Sequence, residues 1–348
     1  MEESIPSIPF DIDIREQTPD QLPLVVEINN ASVPPDDRTT EEQARIEDGL
    51  SRPEEPPLRL IAWLGDRPVA TGYAGRSIFT AEGRCRITIR VLPDFRRQGV
   101  ATRIYRRLVS FARESDAKSL LAGVSQESLP LVQQWLQREG YYEVERMRPS
   151  RLTLETMDWG SWAESEERVI GQGIALTTLA QEDSEANRRK LWELSETTRI
   201  DVPHHPGGQQ PFPFEKFDDL LNRPEARPGC LVIAKNGDAY VGFSLLVHQT
   251  ADEVLTGMTG VLRDYRSRGI ALALKVRSAR LAHAKGYKSM RTMNHVNNPA
   301  MLKVNDRLGY VALPHFIMFQ KDLRHTARVE VGVASEIADG RRGPPGSG

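Results

Sequence analysis

The chain repeats itself. Residues 91–101 read VLPDFRRQGVA and residues 261–271 read VLRDYRSRGIA, a shift of 170 positions at which Val, Leu, Asp, Arg, Gly and Ala recur in place. Upstream, IAWLGDRPVATGY (61–73) parallels IAKNGDAYVGF (233–243); downstream, REGYYEV (138–144) parallels RLGYVAL (307–313). Shared turn chemistry alone would not preserve both order and spacing, so the chain is two copies of one folding unit. At 348 residues each copy is long enough to bury a core of its own.

The repeat sets the expected boundaries. A first module covers 1–155 and a linker 156–173, whose acidic run AESEERV has helical character. A second module covers 174–324. A tail, 325–348, ends GRRGPPGSG and is too rich in Gly, Pro and Arg to pack, so it is expected to be disordered. In the first copy, patterning predicts strands at 10–15, 58–63, 68–76, 84–91 and 119–124, with closing strands after 141. Helices are predicted at 20–30, 40–50, 100–115 and 128–139. Each Gly-Asp pair between apolar runs signals a hairpin. The result is an α/β fold: two modules, each a mixed, mostly antiparallel sheet flanked by helices.

Composition excludes several classes. Forty-six basic and 48 acidic side chains leave a net charge of −2, with no long-range field to draw the chain to nucleic acid or an anionic membrane. The arginines of 101–115 (Arg103, Arg106, Arg107, Arg113) sit opposite an apolar face formed by Ile104, Leu108 and Phe111, and read as a solvated face. Cys85 and Cys230 lie in different halves, without disulfide or metal spacing, so no metal is expected. MEESIPSIPF lacks an apolar signal core, and no apolar run reaches about 20 residues. The expectation is a cytoplasmic protein, monomer or homodimer, with neither nucleic-acid nor membrane partner.

The repeated element carries chemistry. In Arg266-Ser267-Arg268-Gly269-Ile270-Ala271 a strand turns into a helix. The glycine lets backbone approach a ligand, and the helix start aims free N–H groups and a positive dipole end at the turn, a site for a pyrophosphate. Arg266 and Arg268 add charged donors. Arg96-Arg97-Gln98-Gly99-Val100-Ala101 repeats the logic.

This Arg-x-x-Gly-x-Ala element resembles the phosphate-binding motif of the GCN5-related N-acetyltransferase (GNAT) superfamily, and the resemblance covers roughly 10–155 and 172–323. The second copy resembles the bacterial tandem type more fully, through Thr292, Asn294, Asn298, Met301, Leu302, Asn305, Leu308, Gly309 and Tyr310. The resemblance implies acetyl transfer from acetyl-CoA to the amine of a small molecule, by direct attack in a ternary complex. It implies that Val261, and Val91 in the first copy, lie on strands whose backbone holds the pantetheine arm and polarises the thioester. The family's usual acid is a Tyr four residues before the Gly of the Leu-Gly-aromatic element; here Asn305 stands there, able to hydrogen-bond the sulfur or the pantetheine but not to act as an acid. The first copy has Leu136 at that position and no counterpart of Asn294 or Asn298, which makes the second module the expected active one.

On the acceptor side, Trp192, Arg199 and the run DVPHHPGGQQPFPFEKF (201–217) suit a lid. Asp201 is a candidate to attract a cationic amine, and His204 or His205 a candidate general base. Thr256 and Thr259 are placed on the active-site face of a strand, Glu253 at its rim, and Asn298 as a helix N-cap that also serves the coenzyme. The competing readings are a non-catalytic acyl-CoA-binding or scaffold protein, motivated by the missing Tyr, and a protein N-acetyltransferase.

Overall fold

The computed structural model describes residues 12–203, 212–226 and 228–323. In the first half, β1 (Ile12–Glu16), α1 (Leu22–Ala31) and α2 (Glu41–Gly49) precede β2 (Leu58–Leu64), β3 (Arg67–Gly75) and β4 (Arg84–Val91). They are followed by α3 (Val100–Glu114), β5 (Ser119–Ser125), α4 (Leu129–Arg138) and β6 (Tyr142–Thr153). Helix α5 (Ala163–Ile170) forms from the acidic run of the connecting segment.

The second half repeats the order. It runs β7 (Ile174–Thr178), α6 (Leu179–Glu182), α7 (Glu185–Arg199), α8 (Phe214–Leu221), β8 (Leu231–Asn236), β9 (Ala239–His248) and β10 (Glu253–Val261). Then come α9 (Ile270–Ala284), β11 (Ser289–His295), α10 (Pro299–Leu308), β12 (Val311–Ala312) and β13 (Phe316–Asp322). Both Gly-Asp pairs make two-residue hairpins, each opened by a glycine at positive φ, +60° at Gly65 and +59° at Gly237. The candidate tail lies outside the described residues.

The two mixed, mostly antiparallel sheets join into one 13-stranded sheet, ordered β1-β2-β3-β4-β5-β13-β6-β11-β10-β9-β8-β7, with β12 pairing β6. Where closing strands were expected after residue 141, the first half supplies a single 12-residue strand. The last strand of the chain, β13, lies between β5 and β6, pairing Phe316–Asp322 with Ser125–Ser119 on one side and with β6 on the other. In return β6 runs on past β13 and pairs Thr153–Met147 with Ser289–His295 of β11. Each half thus completes the other's sheet, and neither leaves an open inner edge.

Helix α3 buries Val100, Ile104, Tyr105, Leu108 and Ala112, a stripe at helical spacing against β2, β3 and β4. Helix α9 is buried nearly all round, because α5 covers the face that α3 leaves to solvent. Glu166 of α5, 7% exposed, accepts from Arg277 at 2.7 Å and Arg280 at 3.1 Å. The connecting segment is therefore packed onto the second half.

Candidate active site

In each half a parallel strand pair comes apart. β4 and β5 pair from Arg84↔Ser119 to Ile87↔Ala122, and β10 and β11 from Glu253↔Ser289 to Thr256↔Thr292. Beyond those points the strands continue, to Val91 and Ser125 and to Val261 and His295, without pairing to each other. The facing backbone edges are open to a ligand. In β10 the ladder with β9 also skips a residue between Thr256 and Met258, a bulge around Gly257. β4 pairs β3 without interruption from Arg86 to Val91, so only the second cleft carries a bulge to re-aim backbone groups at its apex.

At the open end of each cleft is the repeated turn. Arg97 and Ser267 take left-handed backbone conformations, φ 62° and 61°, and Gly99 and Gly269 do so two residues later, φ 78° and 87°. Left-handed residues alternating with ordinary ones curl successive N–H groups into an anion-holding concavity. The glycines are the N-caps of α3 and α9, and neither 15-residue helix has a side-chain cap, so the N–H groups of Val100 and Ala101, and of Ile270 and Ala271, add to the nest. A left-handed serine and arginine at equivalent places were not legible in the sequence; only the repeated glycine signals the turn.

The motif arginines have a second task. Arg266 Nε donates to the carbonyl of Val261 at 3.0 Å, and Arg96 Nε to that of Val91 at 3.1 Å, pinning each strand end to its turn. Arg96 also reaches the carbonyl of Ser32 at 2.9 Å. Arg268 donates to the carbonyl of Asp264, as Gln98 does to that of Asp94.

Asp201 lies against the second turn. Its carboxylate accepts from Arg263 at 3.0 Å and from Arg266. These two guanidiniums hold its carboxyl well below the usual carboxylate range. It is thus a brace between the end of α7 and the cradle, and a weak base. His204 and His205 lie outside the described residues. Trp192 donates to the carbonyl of Phe212 at 2.7 Å, and Glu196, paired with Arg199, accepts from the Phe212 N–H at 3.1 Å, which anchors the far end of the candidate lid.

Asn305 is 1% exposed and faces the second cleft, donating from Nδ2 to Oδ1 of Asn294 at 2.7 Å. Its own Oδ1 has no protein partner among the described residues. Asn298 caps α10, accepting from the Met301 N–H at 3.3 Å. Thr259 shares a hydrogen bond with Ser244, while Thr256 is buried where the strands part. Glu253 accepts from Arg151 of β6 at 2.7 Å, an ion pair across the join between the halves. In the first cleft the corresponding residues are Ile87, Ala122 and Leu136, so its floor is apolar.

A residue that sequence reasoning passed over is Lys275. It is 1% exposed and without a hydrogen-bond partner among the described residues. Its place between Leu272 and Val276, with Ala279 one turn on, put it on the apolar face and was the available signal.

Two parting strand pairs, each ending in an anion nest at an uncapped helix, make the fold a tandem of one repeated unit. Residues 22–141 match the model of the Acetyltransferase (GNAT) family. That match lies in the first half of the chain, and as a whole the chain shares the fold of solved GNAT structures, a tandem one among them. It is similar to a GCN5-related N-acetyltransferase from Sphaerobacter thermophilus, with 18% identity and a TM-score of 0.72, over 90% of this chain and 96% of that one. It is also similar to a tandem GNAT protein of the clavulanic acid biosynthesis pathway, solved without acetyl-CoA, with 14% identity and a TM-score of 0.68, over 90% and 98% of the two chains. No curated protein matches the chain. Among the described residues no helix is long and apolar enough to cross a membrane.

Proposed function

We propose that the chain is an N-acetyltransferase moving an acetyl group from acetyl-CoA to the amine of a small molecule, and that its second module, residues 174–324, does the chemistry. The observation that carries this reading is the bulge of β10 at Gly257, set where β10 and β11 part, beside the buried Asn305–Asn294 pair. The first cleft has the nest but neither the bulge nor the amides.

The residues present suit acetyl-CoA as a co-substrate. The nest at Ser267–Gly269 and the first N–H groups of α9 would take the pyrophosphate, with Arg268 at the rim. The open edge of β10 up to Val261 would bond the pantetheine, and the bulge would turn a backbone N–H toward the thioester oxygen, where charge develops as the amine attacks. The open Oδ1 of Asn305 would accept from a pantetheine amide or a thiol. Arg266 and Asp201 hold the cradle in shape. The first module, with the same nest over an apolar floor, would bind the nucleotide or support the second sheet.

The test is release of free CoA from acetyl-CoA in the presence of a panel of amino sugars, aminoglycosides, polyamines and amino acids. Gly269→Glu fills the nest and forces a side chain into a left-handed position, so it should abolish turnover. Gly99→Glu should leave turnover largely intact. Full activity in the Gly269→Glu protein would sink the assignment to the second module, and tight acetyl-CoA binding without turnover on any amine would favour a non-catalytic binding protein.

A further inference from the structure

Six buried side-chain polar atoms have no hydrogen-bond partner among the described residues, and five of them belong to one cluster in the second module. They are Nζ of Lys275, the hydroxyls of Thr256, Ser278 and Tyr310, and Oδ1 of Asn305. The Lys275 ammonium stands 5.1 Å from the centre of the Tyr310 ring, and the hydroxyls of Tyr310 and Thr256 lie near one another. Ser278 is one turn beyond Lys275 on the same face of α9, and the Tyr310 N–H donates to the carbonyl of Asn305 at 3.1 Å. Thr256 is the last residue of β10 paired with β11, so the cluster forms the floor of the cleft.

An ammonium buried without a counter-charge is costly, and so are hydroxyls and an amide left without partners. Bridging water would supply the partners that these polar atoms lack. The first module shows that the fold does not need the arrangement: Tyr105 stands where Lys275 does, 170 positions earlier, and donors are matched there, with Lys321 reaching Tyr105 and Glu139 at 3.0 Å each. Among the described residues, a cluster of unmatched buried polar atoms at this place thus occurs only in the second module, the one that has Asn305 where the first has Leu136.

We propose that Lys275 supplies the proton to the departing CoA thiolate from beneath the cleft, as a positioning residue acting through bridging water that the open Oδ1 of Asn305 holds in line. The proposal rests on the acyltransferase reading above. As the acceptor nitrogen forms its bond to the acetyl carbon, the carbon–sulfur bond breaks and its electron pair leaves on sulfur. Sulfur takes a proton relayed from the Lys275 ammonium and departs as the thiol. The proton shed by the acceptor nitrogen passes to solvent and restores the ammonium, so no acid is consumed. Burial alone pushes the Lys275 ammonium down to about 7, which lets it release a proton near neutrality. No charged group on α5, α10 or β8–β11 contributes to that shift. Glu166, Arg277 and Arg280 engage one another on the outer side of α9, and the titratable group facing Lys275 is Tyr310, raised by its burial to about 12 and so kept protonated.

The experiment combines kinetics with 15N-lysine NMR on the full chain. With acetyl-CoA and the best amine of the panel, Lys275→Met should lose about 100-fold in kcat and keep its acetyl-CoA affinity within about twofold. Wild-type kcat should fall as pH rises through the lysine's titration, a limb absent from Lys275→Met. Lys275→Arg should not rescue kcat, because a guanidinium keeps its proton. Combining Lys275→Met with Asn305→Leu should cost no more than the worse single change. The NMR signal absent from Lys275→Met should titrate near neutrality and move when CoA is added. An active wild type with an unimpaired Lys275→Met, full rescue by arginine, or a Lys275 signal indifferent to CoA overturns the proposal alone. A wild type inactive on every amine overturns the acyltransferase reading and the proposal with it.

Discussion

The side chain of Asn305 in α10 donates to that of Asn294 in β11 at 2.7 Å, so one amide pair fixes the helix to the strand that lines the second cleft. Asn305→Leu installs the residue found at the same place in the first module and leaves the Asn294 acceptor without its donor. The expected outcome is a loss of about 1–3 kcal/mol in stability, read by denaturant unfolding, together with at least a tenfold fall in kcat. Unchanged kcat would show that the pair only supports packing.

The exchange of β6 and β13 ties the first half to the end of the chain. Ile317 is fully buried in β13 between β5 and β6. Ile317→Ala is expected to cost about 2–4 kcal/mol. A chain stopped after residue 313 is expected to lose the protection of β5 and β6 against limited proteolysis, although every residue of those strands remains. Proteolysis at the wild-type rate would mean that the first half closes on its own.

Glu166 holds α5 against α9 through Arg277 and Arg280. Glu166→Ala removes charge-assisted bonds made by a mostly buried carboxylate, and a loss of about 2 kcal/mol is expected, seen as a lower urea midpoint with an unchanged slope. Because Val169 of the same helix lies 3.9 Å from where a side chain on Gly269 would begin, weaker acetyl-CoA binding should accompany it.

Lys275 makes stability depend on pH. Its folded value of about 7 lies below the ordinary 10.5, so between these the unfolded chain binds more protons and stability rises with pH. Below about pH 7 both states are charged and the burial penalty is complete, at most roughly 5 kcal/mol. Lys275→Met should therefore melt higher than the wild type at pH 6, with the gap closing toward pH 10. A constant difference across that range would show that Lys275 titrates alike in the folded and unfolded chain, so that burial does not lower it.

The sequence by itself determined the duplication, the α/β order of elements and the two anion turns, because each rests on local chemistry repeated 170 positions apart: a Gly-Asp hairpin, an apolar stripe, a glycine that opens a helix. It also set Asn305 apart from Leu136. The tertiary structure alone decided the rest, since those features depend on contacts between residues distant in the chain. β13 fills the gap beside β5 from the far end of the described chain, and its local pattern suits either sheet. Asp201 became a brace through two arginines more than 60 residues away. Lys275 became a buried, unmatched amine because the face of α9 that carries it packs inward over Tyr310, a contact between parts of the chain that no local pattern shows.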